Sequence, residues 1–156
     1  MKRRTFLLKS ASTAFGFQVV SSHVLRAAEG QNTPNNKIRI AAIGCGGRGG
    51  ANLGAMAGED IVALCDVDDR RAAGAFKKFP KAKRFKDFRK MYDAVGDQID
   101  AVLVATPDHT HAVAIMGAIG RGKHVYSEKP LAHSVAEVRT LRAAALQKKV
   151  ITQVGN

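Results

Sequence analysis

Five glycines crowd a short stretch directly after an apolar run, in IRIAAIGCGGRGG (residues 38–50). Gly44, Gly46 and Gly49 have the spacing GxGxxG, which at a strand-to-helix turn permits a tight turn, close approach of a pyrophosphate and close helix packing. The alternative is a plain tight turn. Glycine inside a helix costs about 1 kcal/mol relative to alanine, so folding alone explains the cluster poorly. The stretch therefore predicts a phosphate-binding loop, in which Gly47 and Arg48 are included.

An acidic residue follows at the distance that accompanies such a loop. Asp66 ends the apolar run ALCD, about 20 residues after the glycines, where a carboxylate accepts both ribose hydroxyl hydrogens and repels a 2′-phosphate. This favours NAD over NADP. Arg70 and Arg71 come next and are able to pair with a phosphate, which keeps NADP as the alternative. Asp68 and Asp69 are expected to be solvated or to cap a helix.

The elements that position these residues alternate regularly along the chain. Six β-rich runs are predicted at 37–43, 61–65, 82–85, 101–106, 123–127 and 150–154, and helical patterns lie near 49–57, 69–78, 87–94, 109–120 and 134–148. Continuous apolar strands separated by helices indicate a parallel sheet that is covered on both faces. The predicted fold is α/β, a Rossmann-type doubly wound parallel sheet of about six strands, in a single domain over residues 37–156.

The first 28 residues have the layout of a targeting segment. Arg3 and Arg4 precede an apolar stretch that starts at Phe6, and Ala27 and Ala28 offer a small-residue cleavage point. The segment resembles a twin-arginine signal, which predicts export to the periplasm or cell envelope. An uncleaved anchor and an ordinary amphipathic helix are the alternatives. Residues 29–36 are expected to form a linker, and no run of eighteen apolar residues predicts a membrane span.

The net charge of +12 is concentrated in two places. Five basic residues and no acid lie in residues 1–28, and eight basic residues and one acid lie in FKKFPKAKRFKDFRK (residues 76–90). Phenylalanines among the basic residues are able to stack on nucleic acid, but they also fall where helices and a strand need core anchors. Because no nucleic-acid motif accompanies the charge, a solvated face is favoured and no nucleic-acid partner is predicted.

Two cysteines, Cys45 and Cys65, are too few for a disulfide framework and lack the spacing of a zinc site. Each falls near the end of a predicted strand. Buried free thiols are therefore favoured, a disulfide between these neighbours is the alternative, and no metal site is predicted.

A second informative region is ATPDHTHAVAIMGAIGRGKHVYSEKPLAHS (residues 105–134). With the glycine loop, TPDHTH and EKP at these intervals, the sequence from about Lys37 to Asn156 resembles the N-terminal domain of the Gfo/Idh/MocA oxidoreductase family. The resemblance implies hydride exchange between a nicotinamide and a sugar or cyclitol. A glycosidase of the same family that uses NAD without net redox change, and a noncatalytic nucleotide-binding module, are the alternatives.

The resemblance assigns roles to individual residues. The pyrophosphate is expected at the glycine loop and the adenosine ribose at Asp66. The residues expected on the nicotinamide side are Thr106, Pro107, His111, Glu128 and Lys129. Lys129 is the predicted catalytic residue, moving the proton of a sugar hydroxyl as hydride leaves, and a cis bond before Pro130 would fix its direction. The alternatives are that Lys129 is a surface lysine at a strand end and that His111 is a helix-capping or core histidine.

The chain ends at ITQVGN, where the resemblance places the start of a second domain that supplies most of the substrate pocket. The expectation is therefore a partial chain that binds the dinucleotide but does not turn over alone. A homo-oligomer is expected for the full-length protein.

Overall fold

The computed structural model describes residues 37–155, which are one compact unit from Lys37 onward. The predicted signal segment (1–28) and linker (29–36) lie outside the described residues, as does Asn156. The described strands are β1 (Arg39–Ile43), β2 (Asp60–Cys65), β3 (Lys83–Phe85), β4 (Ala101–Val104), β5 (His124–Ser127) and β6 (Thr152–Val154). The described α-helices are α1 (Gly47–Ala55), α2 (Asp69–Lys78), α3 (Phe88–Val95), α4 (Asp108–Gly120) and α5 (Val135–Lys148).

The six strands form one sheet in the order β3-β2-β1-β4-β5-β6, and every neighbouring pair is parallel. The sheet confirms the predicted doubly wound Rossmann-type fold, including the short third strand. The strand order reverses between β1 and β4, so the loops after these two strands diverge to opposite faces. Open sheets of this kind bind ligands in the crevice at such a point.

The two faces of the sheet bury separate apolar clusters, because successive side chains of a strand point to opposite faces. One cluster contains Ile40 and Ala42 of β1 and is covered by α1 and α2, through residues such as Leu53 and Phe76. The other contains Ala41 and Ile43 and is covered by α3, α4 and α5. None of the five helices in residues 37–155 has the length and hydropathy to cross a membrane.

Helix starts follow the local capping chemistry of the sequence. The Asp68 carboxylate accepts hydrogen bonds from the amides of Arg70 and Arg71 at 2.9 and 3.4 Å, so the capping alternative predicted for it is confirmed. Ser134 and Glu137 form a reciprocal capping box at the start of α5. Helix α4 follows Pro107 without a side-chain cap, and helix α1 likewise has Gly46 as its N-cap and no side chain that caps it. Its first amides are therefore left to other partners.

The aromatic rings of the basic stretch carry cations on their faces. The Arg84 guanidinium lies 4.7 Å from the ring centre of Phe76, and the Arg89 guanidinium lies 5.6 Å from that of Phe88. Phe76 is buried in one apolar cluster and Phe88 packs against the other. This arrangement agrees with the predicted solvated face, in which phenylalanines anchor the core and basic groups stay outside.

Candidate functional site

A cleft of about 630 Å³ lies at the carboxyl ends of the central strands. Six of the residues predicted to bind the cofactor line it: Gly44, Gly46, Arg48, Asp66, Thr106 and Pro107. Arg71, Lys86 and His109 line it as well. The volume is within the range of small-molecule sites. Residues far apart in the sequence are thus brought together at the point where the strand order reverses.

The glycine loop is shaped by contacts that no larger residue permits. Gly44 has φ +84°, and a Cβ on it would stand 2.5 Å from the Ala105 carbonyl oxygen in the neighbouring loop. A Cβ on Gly49 would overlap the Gly44 carbonyl oxygen. Gly49 therefore lets α1 start directly against the end of β1. Gly47 is the first residue of α1, and Arg48, its neighbour, is exposed.

Asp66 is oriented by the backbone on both sides. One carboxylate oxygen accepts a hydrogen bond from the Cys45 amide at 2.8 Å, and the other accepts one from the Asp68 amide at 3.0 Å. Each oxygen retains further acceptor capacity, because a carboxylate offers about four lone-pair sites. A fixed, partly buried carboxylate is thus available at the rim of the cleft.

Thr106 contributes a hydroxyl that has no hydrogen-bond partner among residues 37–155, although its oxygen is buried. Such an atom is costly to leave unpaired. The glycine cradle, the uncapped start of α1, the Asp66 carboxylate and this hydroxyl together fit a dinucleotide. Each of these groups has hydrogen-bonding capacity that no residue in 37–155 uses and that a dinucleotide can use.

The predicted residues of the EKP motif do not line the cleft. Glu128 is 7% exposed, and its carboxylate accepts hydrogen bonds from Asn52 Nδ2 at 2.6 Å and from Arg48 Nε at 3.1 Å. The Asn52 bond is the main cause that keeps the pKa of Glu128 below its usual value, and Arg48 adds to it. Lys129 is exposed, and its peptide bond to Pro130 is cis, as predicted.

His111 lies behind the cleft rather than in its lining. Its side chain is 1% exposed and contacts two backbone carbonyls, with Nδ1 2.7 Å from the Pro130 oxygen and Nε2 2.7 Å from the Thr106 oxygen. The roles predicted for His111, Glu128 and Lys129 toward the cofactor stay predictions. In the structure the Glu128 side chain accepts hydrogen bonds from two residues of α1, and the His111 ring contacts two backbone carbonyls.

Asn52 and His133 contact residues of the predicted motifs, and the sequence did not reveal either contact. Asn52 is four residues after Arg48 on α1, and this spacing puts both side chains on one helix face. Both bond to Glu128, and the spacing is the one feature of the local sequence that indicates a shared partner. His133 Nδ1 lies 3.3 Å from the Asp108 carboxylate. That hydrogen bond is the main cause that lowers the pKa of Asp108.

The two cysteines are free and buried, which confirms the favoured interpretation. The thiol of Cys45, which lies between Gly44 and Gly46, is 3.5 Å from the Cys65 carbonyl oxygen. Burial raises the pKa of each thiol to about 12. Neither is a nucleophile at neutral pH, because the thiolate is the reactive form.

Comparison with known proteins agrees with the fold and the cleft. A family model described as "Oxidoreductase family, NAD-binding Rossmann fold" (GFO_IDH_MocA) matches residues 38–156. The chain belongs to the Gfo/Idh/MocA oxidoreductase family. Residues 38–156 are its NAD-binding Rossmann domain. The match covers the glycine loop, Asp66 and the EKP motif, so the resemblance seen in the sequence is confirmed.

Several members of the Gfo/Idh/MocA family are similar to this chain over the domain. Inositol 2-dehydrogenase of Rubrobacter xylanophilus is 32% identical over 127 residues, which are 78% of this chain and 35% of the relative. A glycosyl hydrolase family 109 protein of Solibacter usitatus is 36% identical over 116 residues, which are 67% of this chain and 26% of the relative. The crystal structure of scyllo-inositol dehydrogenase from Lactobacillus casei, with bound NAD(H) and scyllo-inositol, is 26% identical with a TM-score of 0.70. The match covers 77% of this chain and 36% of that structure. The chain thus spans between about a quarter and a third of the length of these relatives.

Proposed function

We propose that this chain is the cofactor-binding part of an NAD-dependent oxidoreductase that acts on a cyclitol or a related sugar. The observation that carries the proposal is the convergence of the glycine cradle, the fixed Asp66 carboxylate and the unpaired Thr106 hydroxyl on one cleft. The similarity to inositol dehydrogenases supports the substrate class. Catalysis and substrate choice belong to the whole protein.

Each residue has a defined task in this proposal. The start of α1 binds the pyrophosphate through its uncapped amides and its partial positive charge. Asp66 accepts hydrogen bonds from the adenosine ribose and makes NAD the preferred form over NADP. Thr106 donates from its hydroxyl to the nicotinamide end. When bound, the nicotinamide supplies the hydride acceptor or donor. Lys129 takes the substrate hydroxyl proton as the carbon is oxidised, and returns it in the reverse direction.

The proposal is tested first by titrating the 156-residue chain with NADH and following the nicotinamide fluorescence. NAD⁺ reduction is then measured with myo-inositol, scyllo-inositol and a panel of aldoses, using protein from the complete reading frame. Size-exclusion chromatography of the same protein tests the homo-oligomer expected for it. Absence of NADH binding by a folded chain would remove the proposal.

A glycosidase is the second candidate, and the similarity to a glycosyl hydrolase family 109 protein favours it. Such an enzyme would oxidise its substrate and reduce it again on one bound cofactor. The two candidates differ in their products. Net NADH with a free cyclitol or sugar supports the dehydrogenase, whereas release of nitrophenol from a nitrophenyl glycoside without net NADH supports the glycosidase.

Replacing Thr106 with valine is expected to separate cofactor binding from stability. Valine keeps the shape but removes a buried hydroxyl that has no partner in residues 37–155, so the free energy of unfolding should stay the same or rise by up to about 1 kcal/mol. NADH binding should weaken by about 1 kcal/mol, which is roughly fivefold in Kd. Thermal melts and fluorescence titrations measure the two effects.

Thr140 provides the control for that variant, since its hydroxyl bonds to the Ala136 carbonyl within α5, outside the cleft. Thr140→Val should leave the Kd for NADH unchanged. Unaltered NADH affinity in Thr106→Val would remove Thr106 from the site.

We propose further that residues 1–28 direct export by the twin-arginine route. Arg3, Arg4 and the apolar residues after them support this, and the route carries folded proteins, so a cofactor bound in the cytoplasm can travel with the domain. Changing Arg3 and Arg4 together to lysine is expected to leave the precursor in the cytoplasm. Cell fractionation with immunoblotting measures this. Lys9→Arg, which exchanges one basic residue for another outside the arginine pair, is the control. Export of the double variant at the wild-type level would exclude the route.

A further inference from the structure

His111 contacts both the loop after β4 and the loop after β5. It lies in the first turn of α4, directly after the loop that carries Thr106 and Pro107. Its ring contacts the Thr106 carbonyl oxygen through Nε2 and the Pro130 carbonyl oxygen through Nδ1, each at 2.7 Å. Pro130 belongs to the loop after β5, which carries Lys129. One side chain thus contacts a backbone carbonyl in each of the two loops.

These contacts specify a histidine rather than an apolar residue of similar size. A carbonyl oxygen only accepts, so a contact is a hydrogen bond only where the ring nitrogen carries a proton, and the neutral ring has one such nitrogen. The ring is 1% exposed, and a buried polar group without partners would cost stability that a phenylalanine would not. The two carbonyls therefore account for an imidazole at this position.

Lys129 is fixed on its other side by Glu128. The Glu128 carboxylate bonds to Asn52 and Arg48 of α1, and its amide donates to the Val104 carbonyl at 2.9 Å. The residue before Lys129 is thus bonded to the glycine-loop helix and the end of β4. The carbonyl oxygen of the residue after Lys129, Pro130, lies 2.7 Å from Nδ1 of His111. An exposed lysine is held between two anchored neighbours.

We propose that His111 is a positioning residue that sets the direction of Lys129 toward the cleft by fixing the Pro130 carbonyl relative to Thr106. The inference rests on the proposed function, in which Lys129 handles the substrate proton. It differs from the role predicted from the sequence, because His111 acts through the loop and does not touch the cofactor.

The two ring nitrogens can be tested separately with amide side chains. In His111→Asn the amide nitrogen occupies about the place of Nδ1 and keeps a donor for the Pro130 carbonyl. In His111→Gln it occupies about the place of Nε2 and keeps a donor for the Thr106 carbonyl only. His111→Phe keeps the ring volume and neither donor. If His111 only fills the core, the Asn and Gln variants should behave alike.

The experiment uses the 156-residue chain labelled with [¹⁵N]lysine, with the Lys129 backbone amide signal assigned by its absence in Lys129→Arg. The signal is recorded without cofactor and at saturating NADH. His111→Asn should keep the wild-type position and more than half of the NADH-induced shift. His111→Gln and His111→Phe should move the cofactor-free signal and lose more than half of the NADH-induced shift.

His124→Gln is the matched control, because His124 is a half-buried histidine at the opposite end of β5 whose Nδ1 accepts from the Ile151 amide at 3.0 Å. It should leave the Lys129 signal in place. A Gln variant that matches the Asn variant and the wild type in both spectra would overturn the inference. Failure of the wild-type chain to bind NADH would instead defeat the proposed function. The cofactor-free spectra would still decide the role of His111.

Discussion

Gly49→Ala is expected to destabilise the domain by about 3 kcal/mol, at the upper end of the usual cost of overpacking. The added Cβ would overlap the Gly44 carbonyl oxygen and stand 3.1 Å from the Ala105 side chain. Neither neighbour can yield cheaply, because Gly44 is backbone in a left-handed conformation and Ala105 lies at the strand end beside it. The start of α1 must therefore move away from β1. Thermal unfolding should show a loss of roughly 10 °C in Tm.

The same variant should lose most of its NADH affinity at temperatures where it is still folded. The pyrophosphate site consists of backbone at the start of α1, so a displaced helix misplaces several donors at once. A loss of more than about tenfold in affinity is expected, equivalent to about 1.4 kcal/mol. Fluorescence titration well below the Tm measures this apart from stability.

Gly74 offers a control for both effects. It lies within α2, and a Cβ on it would meet nothing within 4 Å. Gly74→Ala should stabilise the domain by up to about 1 kcal/mol, because alanine favours the helix, and should leave NADH binding unchanged. If Gly49→Ala had the same Tm as the wild type, the close contact between α1 and β1 would not be the reason for a glycine at this position.

The fold was predictable because its signals are local and repeated. All six strands and five helices fall where apolar runs and helical patterns place them, and the differences are at the ends. The fourth strand ends at Val104 rather than Thr106, because Ala105 and Thr106 turn into the cleft and Pro107 is the residue from which α4 starts. Helix α1 starts at Gly47, two residues before the predicted position, since glycines count against a helix in any local pattern.

The site was predictable only where the backbone fixes it. Gly44, Gly46 and Asp66 line the cleft because the strand-turn-helix geometry determines their positions. Glu128 and His111 occupy places that local spacing does not reveal. Their partners, Asn52 for the one and Pro130 for the other, are distant in sequence and meet them only after the sheet has assembled. A motif therefore indicates that such residues matter without indicating what they touch.

Asp66→Asn is expected to reverse the preference between the two dinucleotides. The amide removes the charge that repels a 2′-phosphate and puts an N–H where the Cys45 or Asp68 amide already donates. NADH should bind about 10- to 100-fold more weakly, because hydrogen bonds to charged groups contribute about 1.5–3 kcal/mol. NADPH should bind as well as before or better, since Arg71 and Lys86 line the same cleft and offer positive charge.

Asp93→Asn is the charge-matched control for that reversal. Asp93 is exposed on α3 and pairs with Arg121 at 3.3 Å, and neither residue lines the cleft. Its loss removes the same charge without touching the ribose position, so both Kd values should change by a similar small factor. Titrations with NADH and NADPH at one ionic strength measure the ratio. An equal loss for both dinucleotides in Asp66→Asn would mean that the carboxylate only orients the Cys45 and Asp68 amides. A preference between the two dinucleotides would then not come from this carboxylate, and the ribose assignment of Asp66 would be wrong.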